Sequence, residues 1–114
     1  MKLNHLLIAM ALLSFYSCKK SDEHKTVEEL YNTYKYGRIS ECKHDGETVF
    51  SAEMNAYDAP TVVYDAEGNQ IGNCNYAWGS VDSICNELED CEVVYRVEDN
   101  IWGQEAVDKY ELGD

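Results

Sequence analysis

The sequence predicts a small α+β domain, an antiparallel β-meander of about five strands with two or three short helices on one face, stapled by disulfides. Three observations carry that expectation. A short stretch with helical spacing opens the ordered part of the chain. Runs of alternating apolar and polar residues follow, punctuated by turn dipeptides. Four cysteines are then spread through those runs.

Before any of this comes a leader. Met1 and Lys2 precede an unbroken apolar run from Leu6 to Leu13. A basic start with a short apolar core has the layout of a secretory signal peptide, expected over residues 1–17. The run is too short for a membrane-spanning helix, which needs about 20 apolar residues. Ser14, Ser17 and Cys18 end it.

The first helix is expected over residues 27–36. Thr26 and Glu29 have the spacing of a capping box. Val27, Leu30, Tyr31 and Tyr34 follow at i, i+3, i+4 and i+7, one stripe of a helix. Gly37 is the expected stop, as a residue that enters the left-handed conformation without strain.

Strands come next. In "GRISECKHDGETVFSAEM", Asp45-Gly46 between two extended runs signals a tight hairpin. Phe50, Ala52 and Met54 alternate with Val49, Ser51 and Glu53, and the first set is expected to face the core. Asp58-Ala59-Pro60 is a turn. "TVVYDAEGNQIGNCNY" repeats the hairpin pattern around Glu67-Gly68-Asn69, which completes a four-stranded meander.

Val81, Ile84, Cys85 and Leu88 again fall at helical spacing, so a second helix is expected over 81–89 with Cys85 on its buried stripe. "CEVVYRVED" reads as a fifth strand with Val93, Tyr95 and Val97 on one face. "QEAVDKYEL" reads as a short final helix. No repeat or internal linker interrupts residues 26–114, which form one domain.

The cysteines speak to compartment. Beyond Cys18 there are Cys42, Cys74, Cys85 and Cys91, an even number in an exported chain, which implies two disulfides. No pair has the close spacing of a zinc site. Four cysteines allow three pairings, and the sequence does not choose among them. Cys74–Cys85 with Cys42–Cys91 is favoured, because the first bond would tie the fourth strand to the following helix.

Charge excludes some functions. All 22 acidic residues lie beyond residue 17, against 8 Lys and Arg, so the exported chain carries about −14. No basic face for nucleic acid can be assembled from it. The acidity serves solubility first; its alternative use is attraction of a cationic partner.

Catalytic signatures are missing. Only His24 and His44 lie beyond the leader, one in residues 19–25, which hold no apolar residue and read as a solvated tether, and one at a tight turn, so no triad can be drawn. Disulfides commit the other thiols. Counted from Asp65, the sixth and twelfth places of a calcium loop hold Gln70 and Tyr76, which are the wrong residues. The acidic cluster Glu87, Glu89, Asp90 and Glu92 reads as a solvated helix end. The expectation is therefore a non-enzyme with no metal or cofactor. Aromatic residues remain. Trp78 in "NYAWGS", with Tyr76 beside it, and Trp102 in "NIWGQ" lie in expected loops. There a Trp either plugs the edge of a small core or stacks on a protein or glycan partner. Trp78 is ranked as the better contact.

Two resemblances add to this reading. Ser17-Cys18 at the end of the leader resembles the lipobox of bacterial lipoproteins, with Tyr16 and Phe15 departing from the usual pattern. That resemblance implies cleavage before Cys18, acylation of Cys18, and a solvated tether over 18–25. "SCKKSDE" resembles lipoproteins of the Bacteroidota, where Lys after the cysteine resembles an outer-membrane sorting signal and Asp22-Glu23 a surface-export signal. "RISECKHDGETVF", "VVYDAEGNQIGNC" and "YRVEDNIWGQEAVDKY", over residues 36–112, resemble small lipid-anchored proteins of the same phylum. The expected role is a non-catalytic, lipid-anchored binding or assembly module of the outer membrane. A disulfide-stapled protease inhibitor presenting "NAYDAP" is the second reading, and a small envelope enzyme the third.

Overall fold

A computed structural model of the chain describes residues 23–113. The expected signal peptide over 1–17 and the expected acylation site Cys18 lie outside the described residues. Helix α1 covers residues 23–34. Seven strands follow: β1 (Arg38–His44), β2 (Glu47–Glu53), β3 (Thr61–Tyr64), β4 (Gln70–Asn75), β5 (Ser80–Val81), β6 (Glu89–Arg96) and β7 (Val107–Asp108). They form one antiparallel sheet in the order β5-β4-β3-β2-β1-β6-β7. The fold is thus mainly β, with more strands and fewer helices than the sequence predicts.

The meander forms as expected and gains a fifth strand. Asp45 and Gly46 both take positive φ, 52° and 79°, which matches the turn twist to that of the flanking strands. In the β3–β4 loop, the Asp65 carboxylate accepts hydrogen bonds from the backbone N–H of Glu67 and Asn69, at 3.0 and 2.9 Å. It also accepts one from the Asn69 side chain at 3.1 Å. Burial nudges this carboxyl upward, but the Asn69 and Glu67 donors outweigh that and hold it below its ordinary range.

α1 packs on one face of the sheet. Val27, Leu30 and Tyr34 are buried there against Ile39, Phe50, Ala52, Val94 and Tyr95, with Tyr31 half-buried beside them. The stripe is the predicted one, but the helix begins earlier. Residues 23–25, expected as tether, are helical, and His24 lies 2.9 Å from Glu28. Thr26 is consequently no N-cap. It is buried inside the helix, and its hydroxyl donates to the Ala66 carbonyl at 2.6 Å, tying α1 to the β3–β4 loop. Gly37 is needed for a different reason than expected. Its φ is not positive; a Cβ there would collide with the Glu53 carbonyl.

The opposite face is covered without a helix. Cys42, Val49, Val63 and Cys74 form a second cluster beneath Ile84, Cys85 and Leu88. Val49 is therefore as much core as Phe50, while Met54 lies beyond β2 and is exposed. The expected helix over 81–89 is instead a strand residue pair, a single 3₁₀ turn at Ser83–Asn86, and the start of β6. Topology explains this. The chain must travel from β5 to β6, five strand spacings or about 24 Å. Eight residues of helix rise only about 12 Å. An extended strap is the conformation that reaches. Asp82, at its start, is extended, and its carboxylate accepts from the Asn73 N–H at 2.8 Å.

Both disulfides lie on this strap face. Cys74 joins Cys85, and Cys42 joins Cys91. This is the pairing favoured from sequence, but Cys85 sits in a 3₁₀ turn rather than on a helix. One bond pins the strap to β4 soon after it leaves the sheet, the other to β1 where it rejoins. A shift in register between β1 and β6 accompanies the second bond, with Asp90 at φ 51°. A further shift, between Ile39 and Ser40, brings both Val94 and Tyr95 into the helix-side cluster, so the expected alternation of Val93, Tyr95 and Val97 fails.

The expected final helix is also replaced. Val107–Asp108 pairs with Arg96 and Tyr95 as edge strand β7. The Asp108 carboxylate then accepts from the N–H of Leu112 and Gly113, at 2.7 and 2.9 Å, and folds Tyr110 and Leu112 back onto the helix-side core.

Candidate interaction surface

Strand direction sorts the molecule into two ends. β1 runs from Arg38 toward His44, and each neighbour runs back, so the β2–β3 and β4–β5 connections share an end with the start of β1. The other end holds the Asp45-Gly46 turn, the β3–β4 loop and the first residues of α1. The registers fix this, pairing Arg38 with Glu53 and Arg96 at one end and Lys43 with Thr48 and Glu89 at the other.

The two ends differ in chemistry. Six large apolar side chains are exposed among the described residues: Tyr36, Met54, Tyr57, Ile71, Tyr76 and Trp78. All but Ile71 lie at the Arg38 end. Tyr57 is 86% exposed and Trp78 79%. The opposite end carries Glu23, Asp45, Glu47, Asp65, Glu67, Glu87, Glu89 and Asp90, and an open depression of about 470 Å³ floored in part by Lys43 and His44.

Trp78 is held, not dangling. It sits in the β4–β5 turn, where its backbone N–H donates to the Asn75 side-chain oxygen at 3.2 Å. Gly79 beside it takes φ 73°. Cys74, two residues before Tyr76, is pinned through Cys85, so the base of the turn is covalently fixed. Tyr57 occupies a loop closed by Ala56 N–H to Met54 carbonyl at 2.9 Å and Ala59 N–H to Ala56 carbonyl at 3.3 Å.

Trp102 is placed differently. It is half-buried, and the Arg38 guanidinium lies over its ring at 4.1 Å from the centroid. Arg38 is also paired with the Glu53 carboxylate, its Nε donating at 2.7 Å. The Trp102 loop is tied down by the Ile101 N–H donating to Asn55 Oδ1 at 2.8 Å and by Asn100, whose amide donates to the Val97 and Gln104 carbonyls.

The remaining chemistry-bearing residues are dispersed. His24 contacts Glu28 and packs edge-on to Tyr110; His44 meets Glu87 at 3.1 Å at the acidic end. The four described cysteines are in disulfides. Among the described residues no group of three or more His, Cys, Asp or Glu is arranged to hold a metal ion, and no helix is long and apolar enough to cross a membrane.

Sequence reading singled out Trp78, Tyr76 and Trp102 as contacts and "NAYDAP" only as an inhibitor loop, without joining Tyr57 to the tryptophans, and it passed over Tyr36. The missed signal is the parity of a meander. Every second turn returns to the same end, so the "NAYDAP" loop and the "NYAWGS" turn had to be neighbours. No protein family, curated protein sequence or solved structure matches the chain.

Proposed function

We propose that the chain is a non-catalytic, lipid-anchored module of the bacterial outer membrane, held by acylated Cys18, whose aromatic end binds or helps to assemble a partner. One observation carries this reading. Among the described residues, five of the six exposed large apolar side chains are gathered at one end of the sheet, opposite the end at which α1 begins. Scattered exposed apolar residues need no explanation, but a gathered set marks a contact surface. The two disulfides support export to an oxidising compartment. Commitment of the four described cysteines to disulfides supports a non-catalytic role. The Tyr57 loop is folded into turns rather than extended as a strand-like protease ligand would be, which weighs against the inhibitor reading.

Fatty-acid labelling tests the anchor. The full chain should take up label and lose residues 1–17, and Cys18→Ser should leave an unlabelled, uncut precursor. Label on the Cys18→Ser variant would place the anchor elsewhere and sink this reading.

A further inference from the structure

We infer that the aromatic end docks a protein whose own surface has an apolar centre ringed by basic residues, and that it does so facing away from the anchoring membrane. This rests on the anchored-module reading above.

Area favours a protein. Tyr36, Tyr57, Tyr76 and Trp78 are 64–86% exposed. Aromatic side chains bury about 150–250 Å² each, so these four offer roughly 450–750 Å². One partner's share of a standard protein interface is about 800 Å². They stand along the ends of β4 to β1, three strand spacings or about 14 Å. A small ligand would need a cleft that encloses it. None of the four lines the depressions at Lys43 and His44, at Tyr95 and Val107, or at His24 and Tyr110.

Charge selects the partner's rim. Of the cations at this end, Arg38 is paired with the Glu53 carboxylate and lies over Trp102, while Lys35 over the Tyr36 ring and Arg96 on the Glu105 carbonyl at 3.1 Å meet no carboxylate. The exposed carboxylates Asp58, beside Tyr57, and Glu98 and Asp99, which follow β6 at the same end, outnumber those two cations. An apolar centre with an acidic rim fits an apolar centre with a basic one.

The tether weighs against two other occupants. From Cys18 to Glu23 the chain reaches at most about 18 Å when fully extended, whereas β1 alone spans about 23 Å. With its sheet upright, the domain cannot set its aromatic end on the bilayer that holds its own anchor. Two copies joined through these ends would hold their anchors at opposite poles, away from any one membrane. Trp78 is also preorganised, by Asn75 and by the Cys74–Cys85 bond, which lowers the ordering cost of docking.

Site-specific photo-cross-linking of the full lipidated chain, in cells that make it, tests the assignment. The probe is p-benzoylphenylalanine placed singly at Tyr57 and Trp78, with Glu67 as the opposite-end control. Irradiation should give one protein adduct common to both aromatic positions and absent from the control. With the adducted protein purified, Trp78→Ala should weaken binding at least about tenfold, and Ile71→Ala should leave it unchanged. Raising salt from about 0.05 to about 0.5 M should slow association. An adduct of twice the chain's mass, a carbohydrate smear or a lipid adduct would overturn the protein assignment and leave the binding end standing. The same adduct from Glu67 would overturn the placement. No adduct at either aromatic position would overturn this inference and the binding role together, with the anchor judged separately by labelling.

Discussion

The two faces of the sheet are closed by different means. On the helix face, large side chains do the work: Phe50 and Ile39 from the strands, Val27, Leu30 and Tyr34 from α1, and ring-to-ring contacts between Tyr31 and Tyr95 and between Tyr34 and Tyr64. On the strap face the buried residues are smaller, Val49, Val63, Cys42 and Cys74, and the cover is a stretch of chain with only one 3₁₀ turn, itself holding no buried residue. Packing and the hydrogen bonds of Thr26 and Tyr34 hold α1, whereas two covalent bonds hold the strap. A domain of this size has too little apolar surface to close both faces by burial alone, and cross-links supply the difference.

The largest expected effect lies on the helix face. Phe50→Ala should cost about 3–5 kcal/mol, because the ring is fully buried and the cavity cannot collapse against a sheet. Val63→Ala, equally buried on the strap face, removes two carbons at about 0.8 kcal/mol each and should cost roughly half as much or less. Urea unfolding of both variants measures the contrast. Equal losses would mean that the two faces do not differ as their contacts imply.

The strap face should answer instead to its cross-links. Cys42–Cys91 spans 49 residues and Cys74–Cys85 spans 11. Loop-closure entropy then assigns about 4 kcal/mol to the first and about 3 kcal/mol to the second. Replacing each pair by alanine should reproduce that order, with hydrogen exchange rising first in residues 82–91 and last in α1. Early exchange in α1 would show that the faces are not separable.

Alkali should loosen the helix face selectively. The Tyr34 hydroxyl is 2.7 Å from that of Tyr64, and its pKa is pushed far above the ordinary 10.0, first by burial and then by that hydrogen bond. Burial also raises Tyr95, whose hydroxyl donates to the Lys35 carbonyl at 2.5 Å, and Tyr110, beside Glu41. The unfolded chain gives up these protons near pH 10 while the folded chain keeps them. Their contribution to stability is therefore complete below about pH 10 and is lost as pH rises through the folded values. Urea midpoints taken from about pH 8 to about pH 11 should fall, and Tyr34→Phe should flatten the fall. A midpoint that holds steady through that range would contradict the shifts.

These contrasts also show where the sequence was readable. The α1 stripe and the Asp45-Gly46 turn were legible because each is decided within a few residues. The segment 81–89 was not. Its apolar spacing suits a helix, but the distance from β5 to β6 decides its form, and that distance exists only once the sheet is assembled. "QEAVDKYEL" failed similarly, since a free edge on β6 captured Val107 and Asp108. Thr26 has the right neighbours for a cap, yet the Ala66 carbonyl, 40 residues away, claims its hydroxyl. Trp78 could be flagged singly from its loop, while its company with Tyr57 and Tyr36 depended on strand order.

The smallest expected effect separates the two tryptophans. Trp102 is half-buried under Arg38, within a loop fastened by Asn55 and Asn100. Trp102→Ala removes a cation–π contact worth about 0.5–1 kcal/mol at a partly exposed site and uncovers the Arg38–Glu53 pair. Trp78 meets little of its own chain, and its turn is held by backbone geometry, Asn75 and a disulfide rather than by the indole. Trp78→Ala should therefore shift stability by no more than about 0.5 kcal/mol, as surface substitutions do. Melting the two variants side by side, oxidised and at neutral pH, orders them. A larger loss for Trp78 than for Trp102 would put the indole of the "NYAWGS" turn among the supports of the strap face and remove it from the surface offered to a partner.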